Sequence, residues 1–176
     1  MLNLFKKKDL NIDETLKEII NIIVPKEHSF EIEYFEKVIK APEEVINLKK
    51  TRNLYGVRSE TDEDFKLFVL FDVLRDGYLT KYDDSFNNEN LWGTLSAMLS
   101  TYGYDKYRQE LSNKIYDNKS KDYTIKNCNT ILNDSPFVFY EIFKKEFKAV
   151  SIVKKTNYMK IKELFNRLNV KVVELN

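Results

Sequence analysis

Histidine and cysteine occur once each, proline three times and glycine four times in 176 residues. A zinc site needs several Cys or His ligands, and His28 and Cys128 alone do not furnish one. They also share no spacing that would join a nucleophile to a base. A lone thiol closes no internal disulfide, and no stretch reaches the roughly 20 apolar residues that a membrane span requires. Gly56, Gly77, Gly93 and Gly103 are scattered singly, so no glycine-rich loop is present to cradle a phosphate. With so few turn formers an all-β fold is disfavoured and helices are expected to dominate. His28 is expected at the surface and Cys128 in a core, while Gly93, inside an expected helix, would let a neighbour approach closely.

Hydrophobic residues make up 43% of the chain and charged residues 32%, the balance of a folded protein. Nothing in the composition marks a second domain, so one domain is expected over 1–176, with a helical part to residue 60 and a core from residue 61 onward. The start, MLNLFKKK, lacks the order of a secretory signal because its cations follow a very short apolar run. A cytoplasmic protein with no membrane partner is the simplest expectation. Formal net charge is only +1, but the charge is unevenly placed. From Glu60 to Asn90 there are nine acidic and three basic residues, and from Phe143 to Val172 there are nine basic and two acidic. Such segregation can steer a charged partner, and ordinary solvated faces that happen to segregate are the other, favoured reading.

The most apolar stretch runs from Phe65 to Leu74, after Asp62, which is suited to cap a helix. Phe65, Leu67, Phe68, Val69, Leu70, Phe71, Val73 and Leu74 leave almost no polar face, so this helix is expected to be packed on several sides. Gly77 is expected to end it, and Tyr78 to Tyr82 to form a short strand. A polar loop, DDSFNNEN, follows, and then a helix carrying Leu91, Trp92, Leu95, Met98 and Leu99 as far as Gly103.

Upstream, Asn11 or Asp13 caps a helix with an apolar stripe of Leu16, Ile19, Ile20 and Ile23, stopped by Pro25. Phe30 to Ile39 fits either a second helix or an alternating strand, and the helix is preferred. Pro42 opens a third with Val45, Ile46 and Leu48, and Leu54 to Glu60 is a loop. Downstream of Gly103, helices are expected from Tyr104 to near Asn118 and over Tyr123 to Leu132. The period then changes. Phe137 to Ile142 and Ala149 to Val153 read as a hairpin, Tyr158 to Leu168 as a helix, and Val170 to Leu175 as a final strand. The expected fold class is α+β: helix-rich, with a small, mainly antiparallel sheet of about four strands and helices covering one of its faces.

The order DEDFKLFVLFDVLRDGYLTKYD, a helix around Trp92, and then SPFVFYEIFKKEFKAVSIVKKTNYMKIKELFNRLNVKV resembles the bacterial family called domain of unknown function 6630, over roughly residues 60 to 175. In that family the apolar helix runs through a strand into an Asp-Trp-Lys-like element. Here Asp83, Asp84 and Ser85 hold that place, so the element's role does not carry over. The resemblance implies an architecture and no activity.

The carboxylates Asp72, Asp76, Asp83 and Asp84 are the best candidates for chemistry, because hard cations such as Mg²⁺ and Mn²⁺ take oxygen ligands. A metal-dependent hydrolase or nuclease is one reading of them. The other is that Asp72 pairs with Arg75 and that Asp83 and Asp84 cap the next helix or face water. Glu146-Phe147-Lys148, with Asp134 or Glu141 upstream, matches the acidic-x-Lys pairing of some nucleases, though a hairpin turn also explains it. Lys144, Lys145, Lys148, Lys154 and Lys155 could bind nucleic acid, and Tyr102, Tyr104 and Tyr107 could form an exposed patch or finish the core. The leading expectation is a non-enzymatic module that binds another protein, of the immunity-protein or antagonist type. Its partner surface would comprise Asp72, Asp76, Asp83, Asp84, Tyr102, Tyr104 and Tyr107. No cofactor is expected, and nucleic acid is not the favoured partner.

Overall fold

The computed structural model describes residues 11–40, 62–115 and 120–175, with the side chains of residues 62, 63, 76, 114 and 115 left aside. The expected helix around Val45 and the loop before Glu60 lie outside the described residues.

The first helix, α1 (Ile12–Ile23), is capped by Asn11, whose side chain accepts the Glu14 N–H at 3.2 Å. Its 3.6-residue stripe of Leu16, Ile19, Ile20 and Ile23 is wholly buried. Helix α2 (Ser29–Lys40) follows and buries Phe35, Val38 and Ile39. Helix α3 (Asp62–Val73) is the apolar segment, and Phe65, Leu67, Phe68, Val69, Leu70 and Phe71 are all buried. A helix hidden over so much of its circumference needs neighbours on several sides, and α1 and α2 are two of them.

After Leu74 the chain makes one further turn, α4 (Arg75–Tyr78), before the three-residue strand β1 (Leu79–Lys81). Tyr78 therefore ends a helix instead of opening a strand. Helices α5 (Asn88–Thr101), α6 (Asp105–Ile115) and α7 (Lys121–Ile131) come next. The hairpin of β2 (Phe137–Lys144) and β3 (Phe147–Lys154), helix α8 (Tyr158–Arg167) and strand β4 (Lys171–Glu174) complete the chain. The sheet is antiparallel throughout, in the order β1-β3-β2-β4. The fold is α+β, as the sequence pattern indicates.

Helices cover both faces of the sheet, not one. Successive strand residues point to opposite sides. On one side Val138, Tyr140, Ile142, Ala149 and Val153 join α1, α2, α3 and α8 in a single cluster. On the other, Phe137, Phe139, Val150 and Ile152 pack with Leu91, Leu95, Leu99, Leu111 and Cys128 from α5, α6 and α7. The start of α3 is tied to the hairpin tip, where Asp64 pairs with Lys144 at 3.4 Å and with Lys145 at 3.2 Å. Among the described residues, no helix is long and apolar enough to cross a membrane.

Candidate functional site

The acidic loop leads into α5, and α5 borders an open groove on the surface. Asp83 accepts the Ser85 N–H at 2.9 Å and also the Ser85 hydroxyl, which turns the chain away from β1. Those two bonds, the hydroxyl first, hold the exposed Asp83 carboxyl below its ordinary range. Phe86 then folds back with its ring 6.0 Å from that of Tyr82. Helix α5 starts at Asn87, which forms a reciprocal capping box with Asn90. Asp83 and Asp84 are thus loop residues, and the cap belongs to Asn87.

Along α5, Leu91, Leu95, Met98 and Leu99 face the core, which leaves Gly93, Thr94 and Ala97 on the outer side. Between that outer side and the segment from Arg75 to Thr80 lies an open groove of about 700 Å³. Phe86, Trp92 and Met98 give it an apolar lining, and Glu89 and Arg75 supply charge. A Cβ placed on Gly93 would meet nothing within 4 Å, so no neighbour uses this glycine for close packing. Gly77, at the groove's far wall, is the glycine under contact: a Cβ there would come within 3.0 Å of Thr101 Oγ1.

The four predicted carboxylates do not converge. Asp72 lies on α3 with its Oδ1 3.6 Å from Arg75 Nη1. Asp83 is engaged with Ser85, and Asp84 is exposed, its backbone carbonyl accepting Lys121 Nζ at 3.5 Å. Asp76 belongs to α4, and its side chain is outside the described residues. Among the described residues, no three His, Cys, Asp or Glu side chains gather as a metal site would need. Glu146 stands at the hairpin tip, whereas Lys148 is already in β3 and pairs with Glu141 across the strands at 3.8 Å.

The three tyrosines are packed together at another place. Gly103 has φ +72°, Tyr104 N–H reaches the Leu99 carbonyl at 2.9 Å, and Gly103 N–H reaches that of Ser100 at 2.9 Å. This Schellman closure sends Tyr104 back against the sheet. Its ring centroid is 4.3 Å from that of Phe137, and Tyr107 meets Phe137 edge-on at 5.5 Å. Tyr102 donates its hydroxyl to the Ile23 carbonyl at the end of α1 and meets Tyr78 edge-on at 6.0 Å. Burial holds the Tyr102 hydroxyl far above the usual phenol range. Tyr102 and Tyr104 also border a cavity of about 350 Å³ with Lys26, Lys154 and Asn157.

Several lysines of the basic third are engaged in contacts within the molecule. Lys144 donates to the Leu168 carbonyl at 2.8 Å in addition to meeting Asp64, Lys148 lies 4.4 Å over the Tyr82 ring, and Lys155 donates to the Asn133 carbonyl. His28 is not a plain surface residue: it is half-buried and its Nδ1 is hydrogen-bonded with the Tyr78 hydroxyl. Cys128 is buried, which pushes its thiol up to about 12. The groove itself went unread in the sequence, although Gly93 and Ala97, four apart beside the only tryptophan, were a signal that one side of α5 carries little bulk.

No known protein family, curated protein or solved structure matches the chain.

Proposed function

We propose that the protein acts by binding another protein in the groove beside α5, as a non-enzymatic module of the immunity-protein or antagonist type, in a cytoplasmic setting. The observation that supports this reading is the groove itself. Its half-buried aromatic residues, Phe86 and Trp92, offer surface to desolvate, and Gly93 and Ala97 present no bulk to an incoming chain. Interfaces draw much of their energy from a few aromatic contacts of this kind. Glu89 on the groove and the exposed Asp83 and Asp84 in the loop before it favour a basic segment of the partner, steering its approach and fixing its register.

The test is a photo-crosslinking side chain placed at Ala97 in the living cell. A discrete protein adduct is expected. It should disappear when Gly93→Trp fills the groove, and weaken when Asp83 and Asp84 are both changed to Lys. An adduct indifferent to Gly93→Trp, or none at all, removes this site from consideration.

A further inference from the structure

Two cavities flank the last strand of the sheet. Among the described residues β1 ends the order β1-β3-β2-β4, so one of its edges faces away from β3. The groove beside α5 reaches Thr80 on one face of β1. On the opposite face, Leu79 and Lys81 line a second chamber of about 220 Å³ beneath α3, walled by Phe68, Phe71 and Phe147. Phe71 and Phe147 stack there with centroids 4.5 Å apart, and Phe68 meets both edge-on. Arg75 borders both spaces.

The backbone gives the outer edge of β1 its character. Tyr82 N–H reaches the Lys148 carbonyl at 3.0 Å, and the register of β1 on β3, continued by one residue, sets these two opposite each other. Bonded and non-bonded couples alternate along an antiparallel pair, so Thr80 with Val150 is the next bonded couple. The N–H and carbonyl of Leu79 and of Lys81 therefore turn outward. The Leu79 N–H is taken by the Leu74 carbonyl at 2.9 Å. That leaves the Leu79 carbonyl and both backbone groups of Lys81, and among the described residues none bonds to them. Such a row of outward groups is a template for one more strand.

We infer that the partner enters as a short basic segment that adds to β1 as a fifth strand, an inference that rests on the groove being the partner site. Alternate side chains of an added strand point to opposite faces, and each face here has a space to receive them. One set enters the groove beside Gly93 and Ala97, and the other enters the phenylalanine chamber. A helix spends its backbone groups internally and has none to offer Lys81. Since β1 is three residues long, roughly 10 Å, the added segment is about five residues. Glu89 in the groove, with the exposed Asp83 and Asp84 just past β1, selects basic side chains for the α5 face, and the rings select apolar ones for the α3 face. The segment thus alternates basic and apolar residues.

The probe is acetyl-Lys-Val-Lys-Val-Lys-Val-amide, titrated into the full chain by calorimetry, with hydrogen exchange followed at the Lys81 amide. Saturable binding is expected, and exchange at Lys81 should slow at least tenfold. N-methylation of only one alternate set of residues should weaken binding at least tenfold: the valines if the strand adds antiparallel, the lysines if it adds parallel. Lys81→Pro removes an N–H that β3 does not use, so the chain should still fold and should bind the peptide at least tenfold more weakly. The peptide with glutamate in place of lysine should be weakened as much. Absence of saturable binding overturns the inference, as does equal loss from both N-methylated sets or indifference to Lys81→Pro. The groove reading fails separately. A peptide excluded by Gly93→Trp but indifferent to Lys81→Pro occupies the groove without adding a strand, whereas strand addition with no adduct at Ala97 in the cell would overturn the groove reading alone.

Discussion

The side-chain amide of Asn129 pairs with the backbone of Phe139 in both directions, accepting its N–H at 2.9 Å and donating to its carbonyl at 2.8 Å. It donates to the Leu175 carbonyl as well, at 2.9 Å. A residue of α7 thus receives the Phe139 N–H just past the end of β4, where the Leu175 N–H still reaches the Phe139 carbonyl at 3.1 Å. Asn129→Ala leaves these backbone groups without that partner beside the fully buried Phe139. The expected loss is about 2–4 kcal/mol, several modest bonds plus the penalty of an unsatisfied buried donor. Urea denaturation measures the total, and faster exchange of the Phe139 amide localises it. A loss below about 0.5 kcal/mol would show that water replaces the amide without penalty.

Gly77 and Thr101 form a second pair open to test. A methyl group at Gly77 would press on Thr101 Oγ1 at 3.0 Å, and that hydroxyl also donates to the Ala97 carbonyl at 3.0 Å. Gly77→Ala is expected to destabilise by about 1–3 kcal/mol, the usual cost of overpacking. Part of that cost should vanish in a Thr101→Ala background, giving a coupling of about 0.5 kcal/mol or more in a double-mutant cycle. Strict additivity would place the whole effect in the backbone at Gly77.

Alkaline pH tests the interior. Burial raises the Cys128 thiol from its ordinary 9.0 to about 12. Burial, then the negative charges of Glu31 and Glu27, raises Tyr78 from 10.0 to about 12. Below pH 9 the thiol is protonated in both folded and unfolded chains, so its contribution to stability is fully present. Between 9 and 12 the unfolded chain gives up the proton and the folded chain does not, so stability falls as pH rises. Urea midpoints should therefore decrease across that window, and the decrease should be shallower in Cys128→Ala. The native thiol should also react with a disulfide reagent only as fast as the chain opens. Rapid labelling at neutral pH would contradict the burial.

The order of helices and strands was legible because the elements carry their own marks: a 3.6-residue stripe in α1 and α8, clustered valines in β4, an apolar run without a polar face in α3. What the sequence concealed was how many layers these elements make. Two helical groups and a hairpin are compatible with one covered face or two. The strands held the deciding sign, since FVFY and AVSIV are nearly continuous in apolar residues, as befits strands covered on both sides. Contacts of a single side chain over long separations left no local trace. Neither the pairing of His28 with Tyr78, fifty residues on, nor that of Asn129 with Phe139 follows from any spacing.

The candidate site was half legible for a related reason. The pairing of Asp72 with Arg75 follows from i, i+3 neighbours on adjoining turns, and Asp83 meets Ser85 two residues away. Both contacts are local, but only the first was among the readings the residues allowed, since Asp83 was expected to cap the next helix or face water. The groove and the phenylalanine chamber are made by elements far apart in the chain, and a concavity has no sequence period.

Because the central hairpin serves two cores, its alignment is checked twice. Sliding β2 past β3 by a single residue would turn Phe137 and Phe139 into the compartment built for Val138 and Tyr140, and the reverse on the opposite side. Neither helical layer could accept the exchanged volumes. A misaligned hairpin thus finds no half-satisfied refuge in which to linger, which favours a folding reaction without long-lived shifted forms.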